Sequence, residues 1–594
     1  MIAIILAAGY GNRMRPLTDR RHKTLLPVAG REILTRIVDG LVQNRIYRLV
    51  VVTGYRADDL ETFLLSKYKD LSLTFVRNER YRETNNIYSM ALAFEKTVID
   101  QDILLIESDL IYDDRVIQRL IESKYPNVAL VDRYRTGMDG TLITVENDVI
   151  TSVIPSHQQG PKFDFSDKYK TLNIYKFSKG FCESTFKKLL IYYAKVIDSH
   201  CYYEMVLGML IYMQRETIHA EVIDKESWAE VDDPNDLRAA EFLFNPGGRL
   251  HEIDRSFGGF WNYDFLDFGF IRNMYFPTPS MYSEMRNSLE ALLQSYCSVH
   301  DILREKLAYL LLCEKEPLNV LGGACQAFPV LGEFLGDRPV LVPDPTFGEY
   351  GRVCRNLKKY PESGGDYLDR VEALLKGEDA VVFVNPNNPT GTTVAGEAIH
   401  AFAGRHRRNI VVVDESFVDF AGVHSVQELL DRAPLDNVII IKSLSKCLGV
   451  PGARLGYTYS TCSEFNRAMN KLLPIWQIGS IAEFLLEVCL KHRRELADSY
   501  LATISDRNGF SSRLSAVAGI DKVFPSGGNF LMVKLDGGKD AAATVCERLI
   551  RQHGIYAKNV SKKISDADGY LRLAVRLPAE NSRFADALAQ CLGR

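Results

Sequence analysis

The sequence predicts an α/β protein of two consecutive domains, residues 1–245 and 246–594. Three observations carry this. Short apolar runs alternate with amphipathic segments of helical period from the first residue on, the pattern of a mainly parallel sheet with helices on both faces. The string Asn245-Pro246-Gly247-Gly248 interrupts that pattern with turn chemistry. The alternation then resumes with a different set of motifs. A chain of 594 residues is also longer than one hydrophobic core usually serves.

In the first half, residues 1–7, 47–53, 71–76 and 102–107 are apolar enough for buried strands, and 33–43 carries helical spacing. In the second, 339–342, 380–384, 410–413 and 438–441 are apolar runs of strand length. From about residue 475 the pattern is helical, and strands return near 529–533 and 570–575. The opening residues have no basic stretch before them and no cleavage-type sequence after, so they read as a buried strand and not an export signal. No apolar run is long enough to span a bilayer, so no membrane is expected as a partner. A net charge of −4 without a basic stripe points away from nucleic acid. The 11 cysteines are scattered with no CxxC pair, which argues against a disulfide framework and fits a reducing cytoplasm.

The first strand runs into Leu6-Ala7-Ala8-Gly9-Tyr10-Gly11-Asn12-Arg13-Met14-Arg15. Small residues directly after a buried strand let backbone N–H groups approach a triphosphate. Leu6, Ala8, Gly9 and Gly11 form this candidate cradle, Arg13 and Arg15 add positive charge, and Lys23 follows where the loop can fold back over phosphates. Asp109 ends a buried strand, at the edge where open parallel sheets bind ligands. Asp232 is the second candidate carboxylate. Asp233 beside it is an alternative, although its place before Pro234 suits a helix N-cap.

The loop, with Pro16-Leu17-Thr18 and then His22-Lys23-Thr24-Leu25-Leu26-Pro27-Val28, resembles the signature of nucleotidyltransferases that make nucleotide-activated sugars, cholines and amino alcohols. His22 stands where that family usually has proline. The resemblance implies a Rossmann-like domain of the GT-A kind, with Lys23 as catalytic lysine, Arg13 beside it, and Asp109 and Asp232 as ligands of Mg²⁺. A phosphate or phosphonate oxygen of the acceptor would attack the α-phosphorus of a nucleoside triphosphate and release pyrophosphate. Both reactants are anions, so the site must neutralise and align them. The strings Asn85-Asn86-Ile87-Tyr88-Ser89 and Leu172-Asn173-Ile174-Tyr175-Lys176 resemble the phosphocholine and 2-aminoethylphosphonate cytidylyltransferases. This implies CTP and a small amino-alcohol phosphate or phosphonate as partners. Tyr88, Tyr175 and Trp228, with Glu204, are candidates to hold an ammonium group by cation–π and ion-pair contact.

The second half carries an ordered set: Asn385-Pro386-Asn387-Asn388-Pro389-Thr390-Gly391, Asp414-Glu415-Ser416-Phe417, and Ser443-Leu444-Ser445-Lys446 with Arg454 after it. From about Phe257 onward the chain resembles the class I/II aminotransferases of fold type I, which use pyridoxal phosphate (PLP), in the histidinol-phosphate aminotransferase and threonine-phosphate decarboxylase branch. Lys446 supplies the amine that holds and exchanges the cofactor's aldehyde. Asp414 pairs with the pyridinium nitrogen and keeps the ring an electron sink. Asn388 donates to the ring's phenolic oxygen, and Phe347 matches the aromatic that stacks on it. Ser443, Ser445 and Arg454 bind the cofactor phosphate with backbone N–H groups around Ala324 and Cys325. Tyr296 matches a tyrosine that reaches the cofactor of a neighbouring subunit, with Cys297 in place of the usual proline, which implies a homodimer through this domain.

Arg572 occupies the family's substrate-anchoring position, and Arg576 has the spacing to share its face of a strand. Two arginines suit a substrate with two anionic groups, such as a phosphorylated amino acid. Phe417 stands where the aminotransferases usually carry tyrosine, which leans toward decarboxylation. Two substrate sequences would explain the fusion. O-phosphoserine would be decarboxylated to phosphoethanolamine and converted with CTP to CDP-ethanolamine. Alternatively, phosphonoacetaldehyde would be transaminated to 2-aminoethylphosphonate, which then receives CMP.

Overall fold

The computed structural model describes residues 1–160, 163–362 and 367–593. The chain divides into two compact units, Met1–Asp264 and Phe265–Arg594. The division falls after the Asn245–Gly248 turn because the helix Arg249–Ser256 packs back on the first unit. The Arg249 guanidinium donates to the carbonyls of Phe242 (2.9 Å) and Leu243 (2.8 Å), and Tyr263 meets the Phe242 ring edge-on.

The first unit is built on a nine-stranded sheet. Its order is Ser72–Arg77, Arg48–Thr53, Ile2–Ala7, Ile103–Glu107, Tyr169–Phe177, Val128–Arg133, His219–Val222, Val149–Ile154 and Leu142–Glu146. The first four strands are parallel. Tyr169–Phe177 runs antiparallel to both neighbours, and the far edge is an antiparallel hairpin. Alternation along Ile2–Ala7 sends Ile2, Ile4 and Leu6 into one core and Ala3, Ile5 and Ala7 into another, so both faces of the sheet are covered. The helix Ile33–Gln43 covers one face, with Ile33, Leu34, Ile37, Val38 and Leu41 buried.

The second unit has a seven-stranded sheet ordered Leu318–Leu321, Gly456–Ser460, Val438–Ser443, Val411–Asp414, Ala380–Val384, Pro339–Asp344 and Asn356–Pro361. The last five are parallel, and Gly456–Ser460 is antiparallel to both neighbours. Val381 and Phe383 enter one core while Ala380, Val382 and Val384 enter the other. A separate antiparallel sheet of Ile520–Val523, Phe530–Leu535, Gly569–Ala574 and Lys558–Asn559 follows the long helix Arg493–Ser515. No helix among the described residues is long and apolar enough to cross a membrane.

Candidate active sites

The first site is a cavity of about 840 Å³ at the carboxyl ends of Ile2–Ala7 and Ile103–Glu107. Leu6, Ala8, Gly9, Gly11, Arg13 and Lys23 all line it. The loop turns at Gly11, whose φ of +62° is a left-handed conformation that glycine adopts without strain. The Thr18 hydroxyl donates to the Gly11 carbonyl at 3.0 Å and pins the turn. Lys23 opens a short 3-10 turn capped by His22, whose Nδ1 accepts the Thr24 N–H at 3.2 Å. Burial, then the charge of Lys23, lowers the His22 imidazole to about 4, so it is a neutral cap. That explains how histidine serves at a position where proline was expected.

A short ribbon brings the two carboxylates together. Leu110–Tyr112 pairs antiparallel with Trp228–Glu230, and the Val231 N–H donates to the Asp109 carbonyl at 2.9 Å. Asp109 and Asp232 thus flank Lys23, whose Nζ lies 2.7 Å from Asp109 Oδ2 and 3.0 Å from Asp232 Oδ1. Arg13 donates to Asp232 Oδ2 at 2.7 Å. Burial works against the Lys23 ammonium, but Asp109 and Asp232 outweigh it and hold its pKa above the ordinary range. Asp233 faces away and caps the helix Pro234–Phe244, accepting from Asn235 N (2.6 Å) and Asp236 N (3.1 Å). Asp109 Oδ1 is buried with no hydrogen-bond partner. An unpaired carboxylate oxygen beside Asp232 is a donor set that suits a hard cation completed by phosphate oxygens and water. No group of three or more His, Cys, Asp or Glu side chains is gathered as a metal site among the described residues.

The far end of the cavity differs from the sequence reading. Glu204 lines it, but Tyr88, Tyr175 and Trp228 do not. Tyr175 is buried against Phe177 and Tyr203, and the Trp228 indole donates to Asp132 at 2.8 Å. The Tyr88 ring lies under the Arg80 guanidinium. The sequence reading passed over Glu107, Lys170 and Glu230, which do line the cavity. Lys170 Nζ pairs with Glu230 Oε2 at 3.2 Å. Glu230 was in view, two residues before Asp232, but nothing local marks its direction.

In the second site, three parallel strands deliver the chemistry from their carboxyl ends: Ala380–Val384 leads to Asn388, Val411–Asp414 ends on Asp414, and Val438–Ser443 leads to Lys446. Asp414 is buried. Its Oδ1 accepts from the Ser416 hydroxyl (2.6 Å) and backbone (3.1 Å), and its Oδ2 from the Tyr350 hydroxyl (3.0 Å). Burial raises its pKa, opposed by these bonds and by Lys446. Tyr350 and Ser416 orient this carboxylate, and the sequence reading gave neither a role. The Asn273 N–H and side chain hold the Lys446 turn through the carbonyls of Lys446 (3.0 Å) and Cys447 (2.9 Å). Burial first, then Arg572 and Arg454, brings the Lys446 ammonium down to about 8.

Arg454, in a left-handed conformation at φ +54°, donates to Cys325 Sγ at 2.8 Å, and a Cβ on Gly323 would stand 2.5 Å from its Nη2. Ser445 Oγ is buried without a partner, and Ser443 N donates to Ser416 Oγ at 3.1 Å. A guanidinium, an unpaired hydroxyl and the backbone of Ala324 are groups that could cradle a cofactor phosphate. Phe347 packs near Phe328, with ring centroids 5.9 Å apart. Tyr296 is 79% exposed and stacks on Trp476 at 4.3 Å.

Arg572 is half-buried, donates to Asn388 Oδ1 at 2.9 Å and to the Gly269 carbonyl, and is lowered to about 10 by desolvation. Arg576 is not its companion. The strand stops at Ala574, and Arg576 pairs with Glu580 through Nε (3.1 Å) and Nη2 (2.9 Å) and with the Asp267 carbonyl through Nη1 (2.9 Å). Another cation that feels the charge of Arg572 is Lys563, whose ammonium donates to the Thr346 carbonyl at 3.2 Å. Partial burial, then Arg572 and Lys558, lowers it to about 8.

Comparison with known proteins finds a family for each half of the chain. Residues 286–588 match the family of class I and II aminotransferases, and residues 3–180 match the MobA-like NTP transferase domain. The chain is 32% identical to CMP-5'-(3-aminopropyl)phosphonate synthase of Streptomyces rubellomurinus, over 100% of this chain and 95% of that one. It is 30% identical to L-serine phosphate decarboxylase of Sulfurospirillum multivorans, over 52% of this chain and 81% of that one. The structure of a decarboxylase from the same organism superposes with a TM-score of 0.50 at 26% identity, covering 55% of this chain and 88% of that one.

Proposed function

Because this chain belongs to the class I and II aminotransferase family and carries a MobA-like NTP transferase domain ahead of it, we propose that it is a PLP-dependent decarboxylase of a phosphorylated amino acid fused to a cytidylyltransferase that acts on the product. The best substrate is O-phosphoserine, giving phosphoethanolamine and then CDP-ethanolamine. The observation that carries this is Arg572, a half-buried guanidinium beside Asn388 whose charge reaches both Lys446 and Lys563. One cation suits the α-carboxylate and the other a distal phosphate. PLP bound at Lys446 supplies an electron sink for the bond broken at Cα. Around it, Asp414 holds the ring nitrogen, Ser445 and Arg454 the phosphate, and Arg572 orients the carboxylate. In the first half, Arg13 and Lys23 draw the triphosphate in, and Asp109 and Asp232 hold Mg²⁺, which supplies charge neutralisation between two anions.

The likeness to the Streptomyces synthase over the whole chain favours a second reading at the same site. An amino acid in which a methylene replaces the ester oxygen of phosphoserine would yield 3-aminopropylphosphonate, and the pocket would accept either isostere. The test feeds each carboxyl-labelled amino acid with CTP and Mg²⁺. Labelled CO₂ together with a CMP conjugate supports the decarboxylase reading. Retention of label, with the amino group passed to a keto acid, overturns it in favour of an aminotransferase.

The two cations separate by mutation. Lys563→Ala raises KM for phosphoserine about tenfold, the loss of one charge-assisted bond, and leaves thermal stability near wild type. Arg576→Ala instead lowers stability by about 1–3 kcal/mol, because it strands Glu580, and leaves the preference for phosphoserine over serine unchanged. Equal KM values for wild type and Lys563→Ala would remove Lys563 from the site.

The subunits pair through the second half. Tyr296, Leu293, Ile475 and Trp476 are large apolar side chains left exposed on that unit. Light scattering on the active protein gives the mass of two chains, and a one-chain mass with full PLP activity refutes this.

A further inference from the structure

His22 stands where proline was expected, in the wall of the first cavity, with 1% of its surface exposed. Its backbone lies at φ −62° and ψ 143°, a conformation that a proline would also hold. The side chain adds what a proline ring cannot. Nδ1 accepts the Thr24 N–H at 3.2 Å and lies 2.9 Å from the Thr24 hydroxyl, so that nitrogen carries no proton. A neutral imidazole then carries its proton on Nε2. Nε2 is buried with no hydrogen bond closed, and the Ala7 carbonyl is the backbone acceptor that acts on the ring. Ala7 ends the first strand and Lys23 opens the turn after the loop, so the imidazole stands between the two roots of the loop 8–22. Other contacts fold this loop tightly. Tyr55 ties Ala8 to Thr18, its N–H donating to the Ala8 carbonyl at 3.1 Å and its hydroxyl to the Thr18 carbonyl at 2.9 Å. A Cβ on Gly11 would stand 3.2 Å from Thr18 Cγ2 and 3.4 Å from Lys23 Cβ, so the loop rests on the stem of Lys23. A shift at the His22 root is thus passed to Lys23 and to the loop's backbone N–H groups together.

We propose that His22 is a positioning residue for nucleotidyl transfer: one ring nitrogen caps the Lys23 turn, the other faces the Ala7 carbonyl, and the ring clasps the two roots of the phosphate loop together. This rests on the reading of the first half as a nucleotidyltransferase. His22 touches no reacting atom and moves no proton. Its effect is preorganisation. The backbone donors and the ammonium are held before the triphosphate arrives, so their ordering does not weigh against the reaction. Nδ1 and Nε2 have separate tasks, which side-chain amides reproduce one at a time. Asparagine is a good N-cap and offers an oxygen near the Nδ1 position, while glutamine reaches the Nε2 position with an N–H donor.

Pyrophosphate release from CTP and 2-aminoethyl phosphate with Mg²⁺ is measured for His22→Ala, His22→Asn and His22→Gln. His22→Ala lowers kcat by about ten- to a hundredfold, the scale on which a misplacement of about 1 Å acts. KM for CTP changes far less, since the charges that bind the triphosphate remain. His22→Asn and His22→Gln each regain part of the loss. The PLP reaction of the second half and far-UV circular dichroism stay at wild type in all three, which separates loss of position from loss of fold. If His22→Ala fails to fold, His22→Asn and His22→Gln each still show a lowered kcat. Wild-type kcat in His22→Ala or His22→Gln, a loss confined to KM, or no recovery in either amide variant overturns the assignment. Nitrogen NMR of histidine-labelled protein adds a readout that turnover does not enter. The ring resonance missing from His22→Asn belongs to a neutral imidazole protonated on Nε2 at neutral pH. A proton on Nδ1, or on both nitrogens, overturns the clasp. If wild type releases no pyrophosphate with any phosphate or phosphonate acceptor, the nucleotidyl-transfer reading fails and takes the role of His22 with it. A wrong tautomer beside full pyrophosphate release sinks the clasp alone.

Discussion

Replacing Lys446 by alanine will abolish the reaction of the second half and leave pyrophosphate release by the first half at the wild-type rate. The loss should reach about a thousandfold or more, the scale on which removal of a covalent nucleophile acts. The visible absorbance of the bound cofactor should vanish with it, because Lys446 is the amine placed among Asp414, Arg454 and Arg572. Its pKa sets a pH dependence whose sign is fixed. The neutral amine is the reactive form, and burial with two neighbouring guanidinium groups lowers the ammonium from 10.5 to about 8. Cofactor uptake by the stripped protein should therefore rise with pH through about 8 and level off above it. A rise centred near 10.5 would mean that Lys446 is not desolvated as described. A Lys446→Ala protein that turned over its amino acid at the wild-type rate would remove the residue from the mechanism.

Asp109→Ala should lower pyrophosphate release by about a hundredfold or more while the cofactor spectrum and the PLP reaction stay unchanged. Loss of one preorganised charge stabiliser in a phosphoryl-transfer site acts on this scale. Asp109 offers a buried oxygen with no partner and fixes Lys23 from one side. Removing it disturbs both the cation site and the lysine. Wild-type pyrophosphate release by the variant at ordinary Mg²⁺ would rule out this role.

Much of the fold was legible because its strands are apolar runs with helical segments between them. The helix Ile33–Gln43 and the strand Ala380–Val384 have the bounds that the sequence suggests. Pairing over long distance was not legible. Tyr169–Phe177 inserts antiparallel between Ile103–Glu107 and Val128–Arg133, and nothing in its own residues announces that direction. Its register shifts between Thr171 and Tyr175, which upsets the simple two-residue alternation of faces. Tyr175 therefore packs with Tyr203 and Phe177 instead of lining the cavity.

The phosphate loop with Lys23 was readable as one local string, whereas Asp109 and Asp232 meet only through the ribbon of Leu110–Tyr112 and Trp228–Glu230. The break between the strand and Arg576 is legible in the sequence. Pro578 and Glu580 are a helix-start signature, and Glu580 accepts the Leu577 N–H at 3.3 Å while it pairs with Arg576. The strand ends before them, at Ala574.

The ring of charge formed by Arg13, Lys23, Asp109 and Asp232 has a consequence for how ligands enter. Two cations face two anions at this end of the pocket, with Lys23 acting as the counterion of both aspartates. A triphosphate cannot simply add itself to a positive hole. On the proposed reading it would draw Lys23 and Arg13 away from their aspartates, which would then need a replacement cation. Entry would then be a partner exchange at nearly constant local charge, in which nucleotide and replacement cation each make room for the other.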